Sequence, residues 1–316
     1  MPRYKLTIAY DGTNFCGWQK QEPYANNEDP TCEAAQPPVH HPLDPTNTVG
    51  RVRRDGEDRD RLKVRTVQEV VEQAVRAIVR EPVNLHGASR TDSGVHAKGQ
   101  VGAFTCSGDE PENGEPSSRS SGIGWPLSRG TDRLLRALNG RLPDDVMITA
   151  VEPIHQSFNP TTDADRKTYS YTFHTGHDRP LFDRHFVHHC WETLDSERMH
   201  RAAQHLVGEH DFVSFAAANH GRLTTVRTIF SCNVLRVPAP SADPLATERI
   251  RIEVCGSGFL YNMVRIIAGT LLEVGRGRMP ESIIPTIIAG KDRRAAGPTL
   301  PPTGLCLEWI KYRQPN

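Results

Sequence analysis

The chain has 316 residues, enough for two domains of ordinary size. It carries 38 Lys and Arg against 38 Asp and Glu, a balance that argues against a strongly basic nucleic-acid binder. No run of about 18 apolar residues is present to span a membrane, and the opening Met1-Pro2-Arg3-Tyr4 lacks the apolar stretch of a signal peptide.

Leu6, Ile8 and Tyr10 alternate with polar or small residues and predict a first strand. Residues 22–64 then hold Pro23, Pro30, Pro37, Pro38, Pro42 and Pro45, followed by a charge-dense run that includes Arg51, Arg53 and Arg54. Residues 107–128 are rich in Glu-Pro, Gly and Ser. Both compositions predict disordered surface insertions. Between them, Thr66 and Glu69 have capping-box spacing, and Val67, Val70, Val71, Ala74, Ile78 and Val79 follow a helical period. Short strands are predicted over 83–88 and 99–106, a helix from Thr131 carrying Leu134, Leu135 and Leu138, and a strand over 146–154.

The second half repeats this order. Tyr169, Tyr171 and Phe173 share one face of a strand. Asp195 or Ser196 starts a helix with Met199, Ala202, Ala203, Leu206 and Val207 on one face. Strands over 227–237 and 248–255, an apolar helix over 258–274, a short helix after Pro280 and a strand over 305–312 follow. The economical fold is α+β: two split-βαβ, ferredoxin-like halves, 1–157 and 158–316, with antiparallel sheets around a central cleft.

Seven scattered cysteines without C-x-x-C spacing point to reduced thiols in the cytoplasm and against a structural zinc site. Three stretches can carry chemistry. Asp92 sits in a small-residue loop beside Arg90 and His96; it is either an Asx-turn residue or a catalytic carboxylate that neighbouring cations keep ionised. Arg265 stands within an apolar helix, where a guanidinium must reach solvent or meet an acid, and Asp92 is the natural candidate. Tyr169 begins its strand; such a stripe usually belongs to a core, yet an aromatic at a rim can stack on a base.

These stretches, in this order, resemble the tRNA pseudouridine synthase A family over nearly the whole chain apart from the insertions. Tyr10-Asp11-Gly12-Thr13-Asn14-Phe15-Cys16-Gly17-Trp18-Gln19 is similar to its opening motif, and Arg65-Thr66-Val67-Gln68 to its first helix start. Arg90-Thr91-Asp92-Ser93-Gly94-Val95-His96-Ala97 matches its most specific motif. Phe259-Leu260-Tyr261-Asn262-Met263-Val264-Arg265 and Pro301-Pro302-Thr303-Gly304-Leu305 match later ones. The chain departs from the family pattern at Ser89, where a Gly is common, and at Thr161, where an Arg is usual.

The resemblance implies isomerisation of uridine to pseudouridine in the anticodon arm of tRNA, at positions 38 to 40, by a cofactor-free cytoplasmic homodimer. Asp92 would be the essential aspartate, Arg90 a base-flipping or phosphate-contacting residue, Tyr169 the base-stacking tyrosine and Arg265 the partner of Asp92. A non-catalytic RNA-binding protein of the same fold is the rival expectation; it needs no particular carboxylate. The neutral total charge does not oppose RNA. Residues 22–64 carry nine acidic and six basic side chains and residues 107–128 four and one, which leaves the remainder at +6.

Overall fold

The computed structural model describes residues 1–21, 48–52, 61–108, 122–217, 223–238 and 249–313. It divides into two compact units, Met1–Asp163 and Ala164–Asn316. Among the described residues no helix is long and apolar enough to cross a membrane.

In the first unit, β1 (Arg3–Tyr10) buries every second residue, and Tyr4, Leu6 and Ile8 are fully enclosed. A period of two places one apolar face on the core. After it come β2 (Thr48–Val52), β3 (Arg61–Val64), α1 (Val67–Val79), β4 (His86–Gly87) and β5 (His96–Thr105). The unit closes with α2 (Thr131–Asn139) and β6 (Val146–Ile154). β1 lies between β6 and β5, antiparallel to both, and β4 pairs antiparallel with β5 near its end, at Gly102 and Ala103. Val67, Val71, Val75 and Val79 of α1 and Leu134 and Leu138 of α2 supply the other side of the core. Each such side chain contributes roughly 1.5–3 kcal/mol of burial.

Three expectations need correction here. The predicted strand over 83–88 shrinks to the two residues of β4, because Val83 and Leu85 are buried without strand pairing. Thr66 makes no side-chain cap; carbonyls from the N-terminal segment occupy the helix end instead. The two insertions are not disordered throughout. β2 and β3 form their own antiparallel ladder. Residues 122–129 are built into the unit: Trp125 is 2% exposed, its carbonyl accepts the Tyr4 hydroxyl at 2.7 Å, and Gly124 N–H donates to Val79 O at 2.6 Å. Composition missed this because one tryptophan outweighs its polar neighbours in burial. Residues 22–47, 53–60 and 109–121, with Arg53 and Arg54, lie outside the described residues.

The second unit opens with β7 (Ala164–Thr175) and β8 (His188–Cys190), then α3 (Ser196–Gln204), β9 (Gly208–Asp211) and β10 (Val226–Val237). β11 (Arg249–Gly256), α4 (Met263–Gly275), α5 (Ile283–Gly290) and β12 (Leu305–Tyr312) complete it. The antiparallel order is β12-β7-β11-β10-β9. The sheet is mixed rather than wholly antiparallel, since β8 runs parallel to β7 at Phe173–Thr175, beyond the Tyr171 position where β12 begins. It thereby satisfies backbone groups that β12 is too short to reach. Of the two residues expected to start α3, Asp195 is the cap, accepting from the Glu197 and Arg198 amides. Val207 is 39% exposed, off the α3 core face expected of it, because the helix ends at Gln204.

α4 begins five residues later than its apolar run suggests. Asn262, at φ +60°, precedes the helix, so Phe259 and Leu260 belong to the incoming loop. The helix is enclosed almost all round because residues 296–298 lie across it. A Cβ on Gly269 would sit 1.9 Å from Pro298 O, and Gly297 N–H donates to the Thr270 hydroxyl at 2.9 Å.

Candidate active site

The Asp92 loop joins β4 to β5, and its ends are pinned by one side chain. The Gln100 amide donates to Ser89 O at 2.6 Å, while its oxygen accepts the Ser89 N–H at 3.2 Å and the Val101 N–H at 3.1 Å. Thr91 is held twice: its hydroxyl meets the Tyr10 hydroxyl at 2.7 Å, and its carbonyl accepts the Trp18 N–H at 3.1 Å. Val95 N–H donates to Asp92 O at 3.2 Å across a turn that places Gly94 at φ +77°. Asp92 is half-buried at the head of this turn, and Arg90 is exposed two residues before it.

The N-terminal motif is the bed on which the loop rests. Phe15 O accepts both the Gly94 N–H and the Ser93 hydroxyl at 3.2 Å. Gly17 has φ +87°, and a Cβ there would stand 2.6 Å from Thr91 O. Only glycine allows that backbone shape and that approach together. His96 Nδ1 lies 3.0 Å from the Gly12 amide nitrogen and 3.2 Å from Asp11 Oδ1. Burial alone would raise the Asp11 carboxyl, but its bonds to His96 and Thr13 outweigh that and hold it at about 2.

α1 locks the bed in place. Its first amides, Val67 and Gln68, donate to the Gly17 and Trp18 carbonyls at 3.2 and 2.9 Å. These are the helix-end donors that need an acceptor. Gln68 also accepts the Lys20 N–H at 3.0 Å and donates to Leu85 O at 2.8 Å. Arg65 makes a forked ion pair with Asp145 at 2.7 and 2.8 Å, and its guanidinium lies 3.9 Å over the Phe15 ring. Thus Arg65-Thr66-Val67-Gln68 works as a clamp on the loop's support.

In the second unit, Tyr169 and Arg265 are both tied to the stretch 259–265. Tyr169 is 6% exposed, with Val254 of β11 and Leu307 of β12 beside it in the ladder. Its ring meets Phe259 edge-on at 5.2 Å. It is therefore more enclosed than the rim position predicts. Arg265 is half-buried in the first turn of α4. Its Nε donates to Leu300 O at 2.6 Å and its Nη1 to Asn262 Oδ1 at 2.7 Å. Neither contact is snorkelling to solvent; both fix the direction of the guanidinium.

The structure thus groups Arg90 with Asp92 on one loop, and Tyr169 with Arg265 around one helix entrance. Sequence reasoning missed Gln100, Asn262 and Leu300 as positioning groups. Asn262 carried a usable signal: asparagine tolerates the left-handed region and often marks a boundary. Among the described residues no cluster of three or more His, Cys, Asp or Glu is placed to hold a metal ion.

A family model described as tRNA pseudouridine synthase matches residues 202–313. Over 312 residues, 99% of this chain and 100% of the relative, the chain is 37% identical to a tRNA pseudouridine synthase A from Geotalea uraniireducens (strain Rf4). At the same coverage it is 34% identical to tRNA pseudouridine synthase A 2 from Clostridium perfringens (strain 13 / Type A) and 35% identical to a tRNA pseudouridine synthase A from Geotalea daltonii.

Proposed function

The chain belongs to the tRNA pseudouridine synthase A family of isomerases, and from that premise we propose that Asp92 converts uridine to pseudouridine in the anticodon arm of tRNA, at positions 38 to 40. The observation that carries the residue assignment is the clamped loop: Gln100, Trp18 and Phe15 fix the backbone on both sides of Asp92, and Tyr10 holds the Thr91 side chain. Such preorganisation removes the cost of orienting the group during reaction.

The reaction breaks N1–C1′, turns the uracil and joins C5 to C1′. The proton on C5 leaves, and N1 gains one, so the change is redox-neutral. Hydrolytic glycosidases commonly need two carboxylates, one to protonate the leaving group. Uracil leaves as a stabilised anion, so one carboxylate suffices, either attacking C1′ or removing a ribose proton. The nucleotide is extruded from its stack to reach the group. Arg90 holds the gap or a phosphate, Tyr169 stacks on the base, and Arg265 supplies a fixed positive charge to the reacting groups. Each unit is read as a split-βαβ half, supported by the orders β6-β1-β5-β4 and β12-β7-β11-β10. The enzyme works in the cytoplasm as a homodimer and needs no cofactor.

Incubation with unmodified tRNA transcripts tests this reading. Pseudouridine at 38, 39 or 40, mapped by chemical derivatisation, supports it. Tight binding without any pseudouridine supports the non-catalytic rival, and free uracil a nucleosidase.

A further inference from the structure

The first unit carries a cationic cavity that the uridine chemistry does not use. About 400 Å³ in volume, it lies between the C-terminal end of α1, α2 and residues 122–129. That volume falls in the range of ligand pockets. Arg80, Arg129 and Arg141 line it.

Two of the arginines are anchored. Arg80 ends α1 in the left-handed conformation, its N–H donating to Arg76 O at 2.8 Å. Its Nη1 rests against Gly122, where a Cβ would come within 3.3 Å. The Arg129 guanidinium lies 3.9 Å over the Trp125 ring, and Trp125 Nε1–H donates to Gly130 O at 3.1 Å. Arg141 also lines an adjoining cavity, with Arg65 on its wall.

Three acids of this unit are engaged elsewhere. Glu81 accepts the Ser107 N–H and hydroxyl, Asp145 takes the Arg65 fork, and Glu72 holds Lys20 and Arg76. Among the described residues, none of the three cavity arginines has a carboxylate partner. Three planar guanidinium forks around one concavity suit a phosphate group.

We propose that this cavity binds a backbone phosphate of the RNA substrate, away from the nucleotide that reacts; the proposal rests on tRNA being that substrate. The N-terminal end of α1 supports the Asp92 loop through Gly17 and Trp18, whereas the cavity sits at its C-terminal end. Thirteen helical residues separate the two by about 20 Å. Several nucleotides of backbone span that distance, so the contact adds affinity without entering the chemistry.

The test uses the full chain with Arg80→Gln and Arg141→Gln, singly and together, and reads the tRNA dissociation constant against KCl concentration and turnover at saturating tRNA. Each substitution is expected to weaken binding about five- to tenfold at about 0.1 M salt and to lower the salt slope by about one. Turnover at saturation stays unchanged, and Arg141→Lys, which keeps the charge, restores most of the slope. Unchanged affinity and slope in the double variant overturn the proposal, provided the parent protein forms pseudouridine. If the parent forms none, the proposed function fails instead. A rise in melting temperature with inorganic phosphate that the double variant loses, at unaltered tRNA affinity, also overturns it and marks a free-anion pocket.

Discussion

Gly17 shows how one residue constrains the site. Its φ of +87° and the 2.6 Å approach to Thr91 O leave no room for a methyl group. Gly17→Ala should therefore destabilise the protein by at least about 2 kcal/mol, read as a lower denaturant midpoint, since backbone strain and a clash add. The glycine was visible in the opening motif, but its reason was not, because Thr91 lies far away in sequence. Asp11 gives a second residue-scale expectation. Its folded carboxyl, at about 2, is depressed from the ordinary 3.8, so its contribution is present above about pH 4 and is lost as pH falls toward 2. Asp11→Asn should lower stability at neutral pH and flatten the acid limb of the melting-temperature profile between pH 4 and 2. An unchanged acid limb would contradict the role given to the His96 and Thr13 bonds.

At the scale of elements, helix entrances decide the geometry. Arg65 ties the start of α1 to Asp145, just before β6, and to the Phe15 ring. A lysine cannot reproduce a fork or lie flat on a ring, so Arg65→Lys should cost about 1–2 kcal/mol by equilibrium unfolding. The start of α4 was misplaced by its apolar period, which runs through Phe259 and Leu260 although neither is helical. Periodicity records burial, and a buried loop carries the same residues as a buried helix face. Asn262 sets where the helix starts and also points Arg265. Asn262→Gly keeps the left-handed backbone but removes the acceptor. It should leave the melting temperature within a few degrees and lower kcat about ten- to hundredfold, the cost of a misplaced group. A loss in stability with kcat intact would reverse that assignment.

For the whole molecule, the order of strands and helices was legible once residues 22–64 and 107–128 were set apart. Alternation in Leu6, Ile8 and Tyr10 reports a sheet face directly. The bounds of β6 and β12 fall where the pattern places them. β8 and β9, three and four residues long, are too short for any period to register. Residues 122–128 were misread because tertiary burial of Trp125 overrode a polar composition. The motif around Asp92 was legible as a loop, while the groups that hold it depend on long-range contacts that no local pattern encodes. The central claim is that this one carboxylate carries the isomerisation. The direct test is release of tritium from tRNA labelled at C5 of uridine, comparing the parent protein with Asp92→Asn. The account predicts release by the parent and none above background from a variant that still folds and binds tRNA. Release by Asp92→Asn at the parent rate would contradict it.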